Sequence, residues 1–129
     1  MKKIIFGLII IVLAFGFYKL LSTPPGVTPT GDKNYDNPDF ILFYGDTCPH
    51  CKNVEDWIQS NKAEEKLKIN KKEVYKNTQN QEEMTKLVNQ YCPELNTDGI
   101  GVPLGFDPIN KKCIQGDTPI IDFLSQKVK

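Results

Sequence analysis

Phe40-Ile41-Leu42-Phe43-Tyr44-Gly45-Asp46-Thr47-Cys48-Pro49-His50-Cys51 is the stretch that decides the fold. Its first five residues are apolar without interruption, which suits a central strand buried on both faces. A helical pattern opens almost at once. Thr47 can cap that helix, Pro49 fits a first turn where its missing N–H costs nothing, and Cys51, Val54 and Ile58 share one face with Trp57 beside them. A Cys-x-x-Cys pair at such a junction can be a redox dithiol, half of a zinc site, a haem attachment point or two unrelated thiols. Haem attachment needs a histidine directly after the second cysteine, where Lys52 stands. A structural zinc usually draws on two close pairs of ligands, whereas Cys92 and Cys113 are spread across some twenty residues. The context favours a dithiol.

Downstream, Leu67 to Tyr75 holds a short strand near Ile69 to Tyr75, whose lysines suggest an edge or a solvated face. Thr78-x-x-Gln81 reads as a capping box, and Met84, Leu87, Val88 and Tyr91 follow at helical spacing until Pro93 stops the run. An irregular connection through Asp98-Gly99 leads into Val102-Pro103-Leu104-Gly105-Phe106, where the third strand follows Val102-Pro103. Asp107 to Asn110 reads as a turn, and Lys112 to Gln115 as the returning strand. Thr118 can cap a last helix with Pro119 at its first position and Ile120, Ile121, Leu124 and Val128 on its inner side. The predicted order is β-α-β-α-β-β-α, an α/β domain of about 90 residues over 40–129.

Upstream, residues 1–21 read differently. Lys2 and Lys3 precede an apolar and aromatic run from Ile4 to Tyr18, with Lys19, Leu20 and Leu21 after it. If Lys19 extends its ammonium to the headgroups, about 18 residues are available, the short end of what crosses a bilayer. The alternative is a signal peptide, but Ala14-Phe15-Gly16 would place cleavage inside the apolar run. An uncleaved N-terminal membrane anchor is the expectation. The lysines before it direct the N-terminus inward and the domain outside the cytoplasmic membrane. Residues 22–39, with Pro24, Pro25, Pro29 and Pro38 and two glycines, read as a tether.

The 16 basic and 16 acidic residues cancel, and every basic residue is Lys. Without Arg there is no bidentate guanidinium recognition of phosphate or carboxylate, which argues against a sequence-reading nucleic-acid protein. The lysines from Lys62 to Lys76 alternate with Glu64, Glu65 and Glu73, as on a solvated surface.

The element order, the Cys-x-x-Cys after the first strand and Val102-Pro103 before the third resemble the minimal thioredoxin fold, a mixed four-stranded sheet close in size to the glutaredoxins. The resemblance covers nearly the whole domain. It implies that Pro103 is cis and faces the dithiol, with Val102 offering backbone hydrogen bonds to a substrate peptide. An X-Pro bond can hold that isomer at modest cost. Pro49-His50 is the pair found in the bacterial disulfide-forming oxidases of the Dsb type. A Cys48 thiolate at a helix N-terminus, near a protonated His50, is favoured by both neighbours, and a stabilised thiolate makes the disulfide more oxidising. Cys48 is then the attacking thiol, Pro49 and His50 tune it, and Cys51 resolves.

The chain departs from these families at three points. Leu42 occupies the position of the buried acid of thioredoxins. Gly45 occupies that of a glutathione-contacting lysine of glutaredoxins, although Gly116-Asp117 is similar to the acidic turn before their last helix. There is also no room for the helical insertion of the Dsb-type oxidases. Cys92 and Cys113, toward the end of the sheet opposite Cys48, are a structural disulfide, two free buried thiols or a second redox-active pair. The expected function is membrane-tethered thiol-disulfide exchange with protein thiols, leaning toward oxidation, with a membrane redox partner to recycle the dithiol. It calls for no cofactor and no metal. A reductase of extracytoplasmic disulfides, a redox-inert binding module and a four-cysteine zinc site are the competing readings.

Overall fold

A computed structural model describes residues 34–97 and 99–129. The expected anchor at 1–21 and residues 22–33 of the expected tether lie outside the described residues, and no described helix is long and apolar enough to cross a membrane.

The strands are β1 (Phe40–Tyr44), β2 (Ile69–Glu73), β3 (Leu104–Asp107) and β4 (Lys112–Gln115); the helices are α1 (Pro49–Ser60), α2 (Ala63–Lys66), α3 (Thr78–Tyr91) and α4 (Asp117–Lys127), with a 3₁₀ turn at Pro93–Asn96. The sheet order is β2-β1-β3-β4. β1 runs parallel to β2 and antiparallel to β3, and β3 and β4 form an antiparallel hairpin. The result is an α/β fold on a mixed four-stranded sheet in the expected order. The short α2 and the 3₁₀ turn were not legible, because each is a single turn with no periodic apolar face.

Alternation along β1 divides the core. Phe40 and Leu42 join Val54 and Ile58 of α1, Ile69 and Ile114 of the sheet, and Ile120 and Leu124 of α4 on one face. Phe43 joins Met84 and Val88 of α3, Val74, Cys92 and Leu104 on the other. Helices therefore cover both faces, which is why β1 is apolar at every position. Gly105 of β3 lies against Phe40, and a Cβ there would strike the buried Phe40 ring.

Several helix starts differ from the expected ones by one or two residues. Cys48, not Thr47, caps α1: its backbone is extended and its sulfur accepts from the Cys51 N–H at 3.2 Å. Asn77, not Thr78, caps α3, its side-chain oxygen accepting from the N–H groups of Gln79 and Asn80. Gly116 precedes α4, whose first residue is Asp117 rather than Pro119. For α1 and α3, two adjacent residues can satisfy the same free N–H groups, and the chain's entry angle decides between them; Gly116 makes no side-chain cap at α4.

Buried acids organise the turns at the sheet's ends. Glu73 accepts from the N–H groups of Tyr75 and Lys76 where β2 ends. Asp107 is fully buried where β3 turns, and it accepts from the N–H groups of Ile109 and Asn110 and from the Asn110 side chain. Burial pushes the Asp107 carboxyl up, but those Asn110 and Ile109 hydrogen bonds, with Lys127 3.9 Å away, outweigh it and hold the group below its ordinary value.

Two stability measurements follow. Gly105→Ala should cost about 1–3 kcal/mol in denaturant unfolding, because Phe40 cannot retreat; an unchanged midpoint would show that the face is loosely packed. A carboxylate with a depressed folded pKa stabilises above its unfolded value of about 4 and loses that contribution as pH falls through the folded value. Asp107→Asn should therefore be less stable than wild type at pH 7, with the gap closing toward pH 3. A gap that stays constant across this range would show that the charge is not used.

Candidate functional site

β1 ends at the half-buried Tyr44 and delivers the chain to a tight turn, in which the Cys48 N–H bonds the Gly45 carbonyl at 3.1 Å. Pro49 then opens α1. Cys48 and Cys51 are joined as a disulfide across a Cα–Cα distance of 5.2 Å. The two sulfurs are unequally placed: Cys48 is half-buried, whereas Cys51 is 1% exposed. A partner thiolate can reach only the first. Cys48 also occupies the helix N-terminus, where the unpaired N–H groups and the helix dipole favour negative charge.

The loop before β3 closes the site from across the sheet. The Val102-Pro103 bond is cis. The Val102 carbonyl oxygen lies 3.6 Å from Cys48 Sγ, and Pro103 is fully buried beneath it. Gly116 donates to the Pro103 carbonyl at 3.0 Å, and its φ of 96° lies in the left-handed region that glycine enters without penalty. This one residue ties the Val102-Pro103 loop to the head of α4.

The head of α4 supplies a group whose role the sequence did not disclose. Asp117 Oδ2 lies 3.0 Å from His50 Nδ1 and accepts from Asn53 Nδ2 at 2.8 Å, while Oδ1 accepts from the Thr118 N–H. The His50 and Asn53 side chains and the Thr118 amide hold the Asp117 carboxyl well below the usual carboxylate range. His50 is thus turned toward α4. Its spacing of three from Asn53 places both on one side of α1. Asp117 itself, 67 residues away, was visible only as an acidic turn before the last helix.

The opposite flank is aromatic. A Cβ at Gly45 would run into the ring of Tyr75, which is 56% exposed. The position where glutaredoxins carry a lysine is therefore roofed by a tyrosine. Lys76 pairs with Asp46 next to it. Leu42 is fully buried in the core.

Cys92 and Cys113 form a second disulfide, with a Cα–Cα distance of 6.1 Å. Cys113 is in register with Phe106, which pairs with Ile41, whereas Leu104 pairs with Phe43 nearer the dithiol. The second bridge thus joins the end of α3 to β4 at the far end of the sheet. The four cysteines fall into two separate pairs, and among the described residues no cluster of three or more His, Cys, Asp or Glu side chains is arranged to hold a metal ion.

No family model, curated protein or solved structure matches the chain. Its chemistry rests on the geometry of Cys48 and Cys51, a cysteine pair at disulfide distance and compatible with redox activity.

The Cys92–Cys113 bridge spans 21 residues. Replacing both cysteines by Ala should lower stability by about 3 kcal/mol on chain-entropy grounds, while leaving the reactivity of Cys48 toward thiols intact. Loss of that reactivity at unchanged stability would give the second pair a redox role instead.

Proposed function

We propose that this chain is a thioredoxin-like thiol-disulfide oxidoreductase, tethered to the cytoplasmic membrane by residues 1–21 and exchanging disulfides with protein thiols outside it. The observation that carries the reading is the placement of a half-buried Cys48, bonded to a buried Cys51, at the head of α1 and beside the Val102 carbonyl. The element order and the cis Val102-Pro103 bond support the thioredoxin-like assignment. The apolar run Ile4–Tyr18 behind Lys2 and Lys3 supports the tether.

The oxidising cycle balances as follows. A thiolate of a substrate dithiol attacks Cys48 Sγ, the Cys48–Cys51 bond breaks, and Cys51 leaves as a thiolate that takes up a proton. Backbone groups of Val102 hold the substrate chain during this step. The second substrate thiolate then attacks the substrate's own sulfur in the mixed disulfide and expels Cys48 as a thiolate. The substrate has lost two electrons and two protons, and the protein holds a dithiol. A disulfide-bearing partner in the membrane accepts the two electrons and restores the bond. The unpaired N–H groups at the helix head stabilise a Cys48 thiolate and make it a good leaving group, which favours this direction.

Trapping tests the reading. In Cys51→Ala the mixed disulfide cannot be resolved internally, so full-length protein should accumulate covalent adducts on Cys48 that reductant releases. Cys48→Ser should form none and lose protein-thiol oxidation entirely. Equal adduct formation by both variants, or activity surviving in Cys48→Ser, would falsify the assignment.

A further inference from the structure

A histidine between two cysteines is ordinarily credited with stabilising the first thiolate, yet here the imidazole has a different partner. His50 Nδ1 is 3.0 Å from the carboxylate of Asp117, which is anchored by the Asn53 side chain and by the Thr118 N–H at the head of α4. We propose that Asp117 is a positioning residue and counter-charge for His50: by holding the imidazole against α4 it limits the stabilisation His50 gives a Cys48 thiolate, and sets the Cys48–Cys51 couple less oxidising than Cys-Pro-His-Cys alone dictates. The inference rests on the reading of Cys48 and Cys51 as the redox dithiol.

A neutral carboxyl is not expected here, since three donors converge on Asp117 and its carboxyl is held well below the usual range. When His50 carries a second proton, a thiolate at Cys48 meets a cation together with an anion, and their fields partly cancel at the sulfur. The Asp117 charge also opposes the thiolate directly, so both effects act in one direction. The other charges near the dithiol do not disturb the balance, because Lys52 pairs with Asp56 and Lys76 with Asp46. A less stabilised thiolate disfavours the reduced protein relative to the disulfide, which lowers the oxidising power of the couple. The orientation follows too: with Nδ1 turned to Asp117, Nε2 is the nitrogen left to face a partner chain.

The test is equilibration of the full-length chain, in detergent, with reduced and oxidised glutathione at pH 6, where an ordinary histidine is largely protonated. Alkylation and peptide mass spectrometry count Cys48 and Cys51 apart from Cys92 and Cys113. Asp117→Asn should move the equilibrium about two- to fivefold toward the dithiol, as expected for a solvent-accessible ion pair, or about 10 to 20 mV for a two-electron couple. Asp117→Ser, which keeps an oxygen for the Thr118 N–H, should give the same shift and so separates charge from the start of α4. In a His50→Ala background either substitution should have a smaller effect. An unchanged or more reducing couple in both variants overturns the proposal, as does a full-sized shift without His50. The expected shift in a chain that neither oxidises nor reduces protein thiols would uphold the counter-charge and remove the enzymatic reading instead.

Discussion

The double-sided burial of β1 is the constraint on which the rest depends. Phe40 and Leu42 are held by α1 and α4 on one face, and Phe43 by α3 on the other, so the strand can neither slide nor tilt without exposing apolar surface on one side. A shift of one residue would reverse both faces at once. The end of β1 is therefore fixed, and with it the turn at Gly45 and the head of α1. The dithiol inherits its position from packing several residues away. Preorganisation of this kind suits exchange chemistry, because an attacking sulfur must line up with an existing disulfide.

Polar groups complete what packing begins. Glu73 and Asp107 sit at turns of the sheet and gather N–H groups that would otherwise lack partners, and among the described residues no buried side-chain nitrogen or oxygen is left unsatisfied. The Glu73 turn sets Tyr75 over Gly45, while Gly116 joins the Val102-Pro103 loop to α4. Three segments distant in sequence thereby meet around Cys48: the turn after β2, the loop before β3 and the head of α4. The second disulfide acts at the other end, where it fastens β4 to α3.

Much of this was legible in the sequence where local chemistry decides. Five apolar residues followed by Cys-Pro identify β1 and the start of α1, and the apolar stripes of α3 and α4 identify the layers they build. The mixed four-stranded sheet was implied by the resemblance to the minimal thioredoxin fold that the order of these elements carries. What escaped was contact across the fold. Cys48 displaced Thr47 as the cap because its sulfur reaches the Cys51 N–H, and that depends on how β1 delivers the chain. Asp117 as the partner of His50 could not be read from either neighbourhood, since only the packing of α4 beside α1 brings them together. Tyr75 was hidden for the same reason: a glycine at position 45 signals space, but not what fills it.

The rims of the sheet have a consequence of their own. β2 and β4 are its outer strands, and a bare outer strand invites any extended chain to add itself as a fifth. Here Lys71 and Lys72 line β2, tied to Glu64 and Glu83, the Asn70 side chain exchanges hydrogen bonds with the backbone of Tyr35, and β4 carries the exposed Lys112. Docking would have to break the Lys71 and Lys72 pairs on one rim or strip water from Lys112 on the other, which makes it costly. For a protein with the proposed role this matters, because chains that still have thiols to join are also those with unsatisfied backbone. Guarded rims would keep such a client from lodging where no sulfur can reach it, and leave the Val102 carbonyl as the backbone group beside the one that can.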